Sequence, residues 1–186
     1  MRIIAGKYKG RIVKFPKSDL VRPTTDRNKE SIFNYLVNQI DFDGIKVLDI
    51  YAGSGSLGLE ALSRGAEEVH FVEKDFRVSK MLEENINSLN AKENCKIFRT
   101  EAVRFSKMKE HDQYELILAD PPFFHFDIHE VVKNLINNNF LKEDGVLLVE
   151  RSIQTKEKDE KEFQQEHFRK LGDSLIYIFD NNKKFS

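Results

Sequence analysis

Asp120, Pro121, Pro122 and Phe123 carry the densest chemical content of any four consecutive residues in this chain. They follow Tyr114 to Ala119, an apolar run that reads as a buried strand. An acid, two prolines and an aromatic ring at a strand's C-terminal end make a stiff loop with little helix-like freedom. Such a loop can hold a carboxylate and a ring in fixed relation at the mouth of an α/β sheet. That arrangement suits a planar base carrying an exocyclic amine. The ring of Phe123 would stack on the base, while Asp120 and a proline carbonyl accept the amine hydrogens. A tight strand-to-helix turn with a capping acid is the plainer alternative.

A second group lies upstream. Asp49, Tyr51, Ala52, Gly53, Ser54, Gly55 and Gly58 fall between the apolar run 46–50 and a helical pattern from Ser56 to Ser63. Gly53-x-Gly55-x-x-Gly58 matches the dinucleotide fingerprint, in which glycines admit a ligand close to the backbone at a helix N-terminus. Glu73 ends the next apolar run, twenty residues beyond Gly53. A carboxylate there can accept both hydroxyls of a ribose. Asp49 stands where it would oppose a pyrophosphate. It suits a cationic ligand instead, such as the sulfonium or amino group of S-adenosyl-L-methionine.

The elements that must position these residues follow from the pattern of apolar runs. Five β-prone segments (46–50, 68–72, 95–99, 114–119 and 145–149) alternate with helical stretches at 56–63, 76–89 and 127–138. Alternation of this kind predicts a doubly wound α/β fold with a mostly parallel sheet covered on both faces. Two β-prone runs about Gly172-Asp-Ser predict an antiparallel hairpin at the sheet edge. Near the N-terminus, Arg2–Ala5 and Arg11–Phe15 flank a glycine-bounded turn and read as a β-hairpin extension over residues 1–20. A helix from Thr25 or Asp26 to about Gln39 follows. The mixed-charge stretch 154–166 reads as a solvated loop or helix, with no role assigned. The whole chain, 1–186, is expected to be a single domain.

Composition narrows the function classes. At 186 residues, 40% apolar and 33% charged, the chain is large enough to bury a full core. No apolar run approaches the length of a membrane span, and the first residues lack a signal peptide's long apolar stretch. A cytoplasmic monomer with no membrane association is expected. The single cysteine, Cys95, excludes an internal disulfide, and no residue cluster has zinc-ligand spacing, so no metal is expected. The histidines form no recognisable pair with serine or cysteine, which argues against a hydrolase. Net charge is −1, but its distribution is uneven. Residues 1–30 carry nine bases against three acids, or +6. A basic arm on an acidic body is an electrostatic footprint for a polyanion.

These motifs together carry a resemblance. Asp49-x-x-x-Gly53-x-Gly55, Glu73 and Asp120-Pro-Pro-Phe123 resemble the signature of class I S-adenosylmethionine-dependent amino-methyltransferases. More narrowly, Arg2-Ile-Ile-Ala-Gly6, Arg22-Pro-Thr-Thr-Asp-Arg27, residues Tyr51 to Gly65 and Leu171-Gly-Asp-Ser174 resemble the bacterial 16S ribosomal RNA (guanine-N2)-methyltransferases of the small subunit. The resemblance spans nearly the whole chain. It implies a Rossmann-like, seven-stranded sheet with an antiparallel last strand. It implies S-adenosyl-L-methionine at Asp49, Tyr51, Ala52, Gly53, Ser54 and Gly55, with Glu73 and Lys74 on the ribose side and Glu101 or Ala102 near the adenine. It implies catalysis at Asp120, Pro121, Pro122 and Phe123. RNA contacts are expected from Arg2, Lys7, Lys9, Arg11, Arg22, Thr25 and Arg27, with 16S ribosomal RNA in an assembling small-subunit particle as partner. Competing readings are the same chemistry on adenine-N6 of DNA or a protein glutamine, a nicotinamide-dependent oxidoreductase, and a non-catalytic RNA-binding module.

Overall fold

The computed structural model describes residues 1–15, 26–122, 126–183 and 185. Alternating elements run α1 (Asp26–Leu36), β1 (Lys46–Ile50), α2 (Ser56–Ser63), β2 (Glu68–Val72), α3 (Phe76–Ser88), β3 (Cys95–Phe98) and α4 (Ala102–Ser106). They continue with β4 (Tyr114–Ala119), α5 (Ile128–Asn137), β5 (Leu141–Ser152), α6 (Lys156–Phe163), β6 (Arg169–Leu171) and β7 (Ser174–Phe179). The strands form one sheet in the order β3-β2-β1-β4-β5-β7-β6. The first five are parallel, while β7 runs antiparallel to both β5 and β6. Among the described residues, no helix is long and apolar enough to cross a membrane.

The apolar runs explain this arrangement. Leu116, Ile117, Leu118 and Ala119 of β4 are all buried, as are Val47, Leu48 and Ile50 of β1. Strands apolar on both sides demand helices on both sides. One core, with Val47, Leu59, Phe71, Leu82 and Leu116, lies against α1, α2 and α3. The other, with Leu48, Ile117, Val132, Leu147 and Tyr177, lies against α4, α5 and α6. Gly58 lets α2 approach the sheet closely, since a Cβ there would stand 2.4 Å from a ring carbon of Phe71. Helix α3 starts at Asp75, whose carboxylate accepts the N–H groups of Arg77 (2.7 Å) and Val78 (3.0 Å).

The N-terminal arm doubles back as the expected hairpin, with less pairing than a regular one. The N–H groups of Ile3, Gly10 and Val13 go to the carbonyls of Arg11, Ile3 and Met1 at 3.0, 2.9 and 3.0 Å, but the antiparallel bridge of Arg2 and Ile12 is isolated and neither limb is a strand. The reason is competition for backbone donors. The N–H groups of Ile4 and Ala5 go to the carboxylate of Glu60 on α2, at 2.7 and 3.1 Å. Those of Lys7 and Tyr8 go to the carbonyl and hydroxyl of Ser63, at 2.7 and 2.9 Å. Ile3 and Val13 are buried in the core on that side. Gly6 completes the fit, because its φ is +79° and a Cβ would fall 1.7 Å from the Ser63 carbonyl oxygen. The first limb of the arm is therefore docked on α2, and the second, through Arg11 and Lys14, on α3.

Glu60 is the centre of this docking. It is fully buried and also meets Arg64 Nε at 2.9 Å and Lys29 Nζ at 3.6 Å. Burial pulls the Lys29 ammonium below the usual lysine range, against the opposing attraction of Glu60 and Asp26. A carboxylate out of water needs this many donors, since removing one partner of a buried pair costs about 3–5 kcal/mol.

Two further expectations are adjusted. Strand β5 extends to Ser152, and the charged stretch after it folds as a helix, α6, one of the two forms expected, but with Asp159 and Phe163 fully buried in place of a wholly solvated surface. Asp159 accepts from Arg151 Nε at 3.0 Å and meets His129 Nε2 at 2.7 Å, so it ties β5 and α5 to α6. Alternating charge in the sequence hides one acid that points inward. Helix α4 was not anticipated, since its five residues are too few to show a helical period.

Candidate active site

Strand order reverses at β1, which has β2 on one side and β4 on the other. Ligands of open α/β sheets bind outside the carboxyl ends of strands at such a switch point. The two motifs meet there. Asp49 pairs in register with Leu118, and Ile50 with Ala119, so Asp120 leaves the sheet beside Tyr51. Glu73 leaves β2 on the other side of β1, and its N–H bonds to the Phe98 carbonyl at 3.1 Å at the end of β3.

The loop between β1 and α2 is built by its glycines. Gly53 and Gly55 have φ of +55° and +81°. A Cβ on Gly55 would meet Leu82 Cδ1 at 2.4 Å. Tyr51 also has a positive φ, +69°, a conformation that costs a non-glycine residue about 1–3 kcal/mol. Burial, with the nearby Asp127 charge, pushes its hydroxyl above the usual tyrosine range. Carboxylates hold the loop. Asp49 Oδ2 accepts the Gly58 N–H at 2.9 Å, and Glu73 Oε2 accepts the Gly53 N–H at 3.0 Å. The other oxygen of Glu73 accepts the Asp75 N–H at 2.7 Å.

The charge of this site is negative. Asp49 is 2% exposed, and its carboxyl is pushed up to about 8. Burial is the main cause, opposed by the Gly58 N–H, with the charges of Asp120 and Glu73 adding to it. The carboxyls of Asp120 and Glu73 thus lie near enough to act on that of Asp49, and a cation bound beside them would relieve their repulsion.

The expected cofactor residues are brought together, with differences in exposure. Ala52, Ser54 and Gly55 are buried within the loop, while Lys74 and Glu101 are exposed and Ala102 begins α4. Asp120 is half-buried and Pro121 buried, with Pro122 exposed. Phe123, Arg22 and Thr25 lie outside the described residues. Arg2, Lys7, Lys9, Arg11 and Arg27 are exposed. Two bases counted toward the arm's positive charge are neutralised: Lys29 is buried against Glu60, and Lys14 pairs with Glu84 at 2.9 Å. Arg11 is anchored to the Ser88 carbonyl at the end of α3. Cys95 lies at the start of β3, where burial pushes its thiol up to about 12, unsuited to a nucleophile. Sequence reasoning missed Glu60 and Asn85 as supports of the site. Both are polar residues on the core side of a helix, and Asn85 falls in register with the apolar Leu82, Ile86 and Leu89.

Comparisons with known proteins agree with this geometry. The family model described as conserved hypothetical protein 95 matches residues 1–180. Ribosomal RNA small subunit methyltransferase D of Haemophilus influenzae is 39% identical over 153 residues, covering 81% of this chain and 78% of the relative. The protein of the same name from Escherichia coli K12 is 36% identical over 154 residues, covering 83% and 76%. The chain belongs to this methyltransferase family. Among solved structures, yhhF of Escherichia coli, provisionally described as a methyltransferase, is 31% identical with a TM-score of 0.79 and covers 96% of both chains. The sheet order and the antiparallel β7 are those of the class I methyltransferase fold expected from the sequence.

The residues present fit S-adenosylmethionine as the family's methyl donor. Gly53 leaves the loop open beside it, since a Cβ there would meet nothing nearer than the Tyr51 carbonyl oxygen at 4.0 Å, while Gly55 lets the loop pack on Leu82, Phe71 and Leu59 of the core. Asp49 and Asp120, at the ends of the paired strands β1 and β4, would suit a cationic methionine end, and Glu73, Lys74 and Glu101, which follow β2 and β3, would suit an adenosine. A nicotinamide dinucleotide fits less well. The Gly53 and Gly58 N–H groups, which a pyrophosphate would use, already serve Glu73 and Asp49.

Two consequences are measurable. Glu73→Ala removes an acceptor for ribose and the latch on Gly53, so it is expected to weaken S-adenosylmethionine binding by roughly 1.5–3 kcal/mol. Equal affinity of mutant and wild type in a calorimetric titration would sink that assignment. Asp49 predicts a pH effect. Its folded value of about 8 lies above the ordinary 3.8, so the native state keeps a proton that the unfolded chain releases. Stability therefore falls as pH rises from about 3.8 to about 8. A bound cation favours the ionised form. Cofactor binding at pH 7 is expected to release a proton from Asp49, and affinity to rise with pH toward 8. Titrations in buffers of differing ionisation enthalpy measure the release. It should shrink in Asp49→Asn; the same proton count in both proteins would contradict the assignment.

Proposed function

We propose that this protein methylates the exocyclic N2 amine of a guanine in 16S ribosomal RNA, using S-adenosylmethionine and direct in-line transfer. The observation that carries the reading is the juxtaposition of Asp49 and Asp120 at the switch point, strong enough that the Asp120 charge raises the Asp49 carboxyl. One acid faces the cofactor side and the other begins the Asp-Pro-Pro-Phe loop. The names of the relatives, ribosomal RNA small subunit methyltransferases, support the RNA as substrate.

When bound, S-adenosylmethionine supplies an electrophilic methyl group on a sulfonium. The chain's own residues do the rest. A guanine N2 is a poor nucleophile because its lone pair is delocalised into the ring. Asp120 accepts one amine hydrogen and the Pro121 carbonyl a second, which localises the lone pair toward the methyl group. Asp120 then takes the proton released after transfer. Its half-buried position limits competition from water. Phe123 stacks on the base after its extrusion, at a cost of about a few kcal/mol for a paired guanine. The exposed bases Arg2, Lys7, Lys9 and Arg27 supply phosphate contacts that offset this cost.

The test is transfer of labelled methyl from S-adenosylmethionine to small-subunit RNA, naked or within assembly particles, followed by nucleoside mass spectrometry. N2-methylguanosine is the expected product. N6-methyladenine from DNA, or a modified glutamine, would replace this reading with its rivals.

A further inference from the structure

Asn85 has no part in the chemistry described above, yet it is 2% exposed and all its amide bonds go to backbone of two separate segments. Its Oδ1 accepts the Lys14 N–H at 2.9 Å, and its Nδ2 donates to the Lys14 carbonyl at 3.0 Å. Asn85 thus pairs with Lys14 as a neighbouring strand would. The second hydrogen of the same Nδ2 goes to the Ser54 carbonyl at 2.9 Å, inside the cofactor loop. Only a carboxamide offers one acceptor and two donors in this form. The other limb of the arm is tied in the same way. Lys29 Nζ donates to the Arg2 carbonyl at 2.6 Å and to Ser56 Oγ at 3.2 Å. One buried side chain thus joins each limb of the arm to one residue of the Ser54-Gly55-Ser56 turn.

We infer that Asn85 is a positioning residue for methyl transfer: it registers the N-terminal arm against the cofactor loop, so that RNA held by the arm meets the methyl donor at a fixed distance. The inference rests on the arm being the RNA-gripping surface. A misplacement of about 1 Å at the reacting atoms lowers a rate by roughly 100-fold, so the register matters more than the grip. Losing Asn85 leaves Lys7 and Lys9 free to bind RNA and Asp49 and Glu73 free to bind cofactor. What is lost is their mutual placement.

The test uses Asn85→Asp, which keeps the acceptor for Lys14 and loses both donors, and Asn85→Ser. Both are assayed for S-adenosylhomocysteine affinity, for small-subunit RNA affinity and for single-turnover methyl transfer with both sites saturated. The expected result is a rate at least about tenfold lower, with both affinities within about threefold of wild type. A folded variant with a wild-type saturated rate overturns the proposal. Hydrogen exchange on the wild-type protein provides a measurement that does not depend on a variant folding. S-adenosylhomocysteine should slow exchange of the Lys14 amide, because the same side chain holds Ser54; unchanged exchange there also overturns it. The Lys7→Glu/Lys9→Glu protein, run in parallel, separates the two ideas. Retained RNA affinity in that protein overturns the reading of the arm. Weakened RNA affinity there, beside a full rate in the Asn85 variants, overturns the positioning role alone.

Discussion

Asp120→Asn is expected to lower single-turnover methyl transfer by roughly 10³-fold while leaving S-adenosylmethionine affinity within a few-fold of wild type. The substitution preserves the shape of the loop start and removes only the charge that localises and then accepts a proton. Its hydrogen bonds matter most as positive charge develops on the amine, so the loss falls on the rate and not on ground-state binding. The effect on cofactor is small for a second reason. The Asp120 charge raises the Asp49 carboxyl, so its removal eases ionisation of Asp49 and partly offsets the lost attraction for a cation. Phe123→Ala should cost about 1–3 kcal/mol, the worth of one base-aromatic stack, and Phe123→Tyr should retain most activity. If the four residues served only as a turn, Asp120→Asn would lower the melting temperature and spare the rate per folded molecule. A well-folded variant with near wild-type turnover ends the assignment.

The second large effect is expected at the arm. Lys7→Glu with Lys9→Glu should weaken RNA binding roughly 100-fold at low salt and abolish methylation at ordinary RNA concentrations, with cofactor binding intact. These two positions are the better choice because Arg11 is bonded to Ser88, Lys14 to Glu84 and Lys29 to Glu60. Changing those would loosen the arm as well as its charge. Lys7 and Lys9 are exposed, and the arm's bonds to Ser63 at this point run through the backbone N–H groups of Lys7 and Tyr8, which the substitutions keep. Loss of two phosphate contacts should also flatten the dependence of log affinity on log salt by about 1.4 for a single strand. Filter binding or fluorescence anisotropy across a salt series measures both quantities. Unchanged RNA methylation by this variant would remove the arm from the substrate surface.

Much of this protein was legible in the order of its residues. The boundaries of β1, β2 and β4 followed from mainly apolar runs bounded by polar turns, because a strand buried on both faces carries few polar positions. The antiparallel end followed from Gly172-Asp-Ser between two β-prone runs. Asp49, Gly53, Gly55, Glu73 and Asp120 stood out because glycines, prolines and acids at strand ends have few purely structural uses. Tertiary structure alone decided the rest. That Asp49 and Asp120 are neighbours depends on β4 pairing with β1, a contact across about seventy residues that no local signal encodes. The arm's charge was overcounted because a count of bases does not register burial or pairing: Lys29 enters the core against Glu60, and Lys14 pairs with Glu84. Asp159 misled in the opposite sense, a charge in a charged stretch whose partners Arg151 and His129 arrive from other elements. Periodicity reports which side of an element is apolar. It carries no record of which buried polar group will find its donors, because those come from segments distant in the chain and are set only when the sheet closes over them.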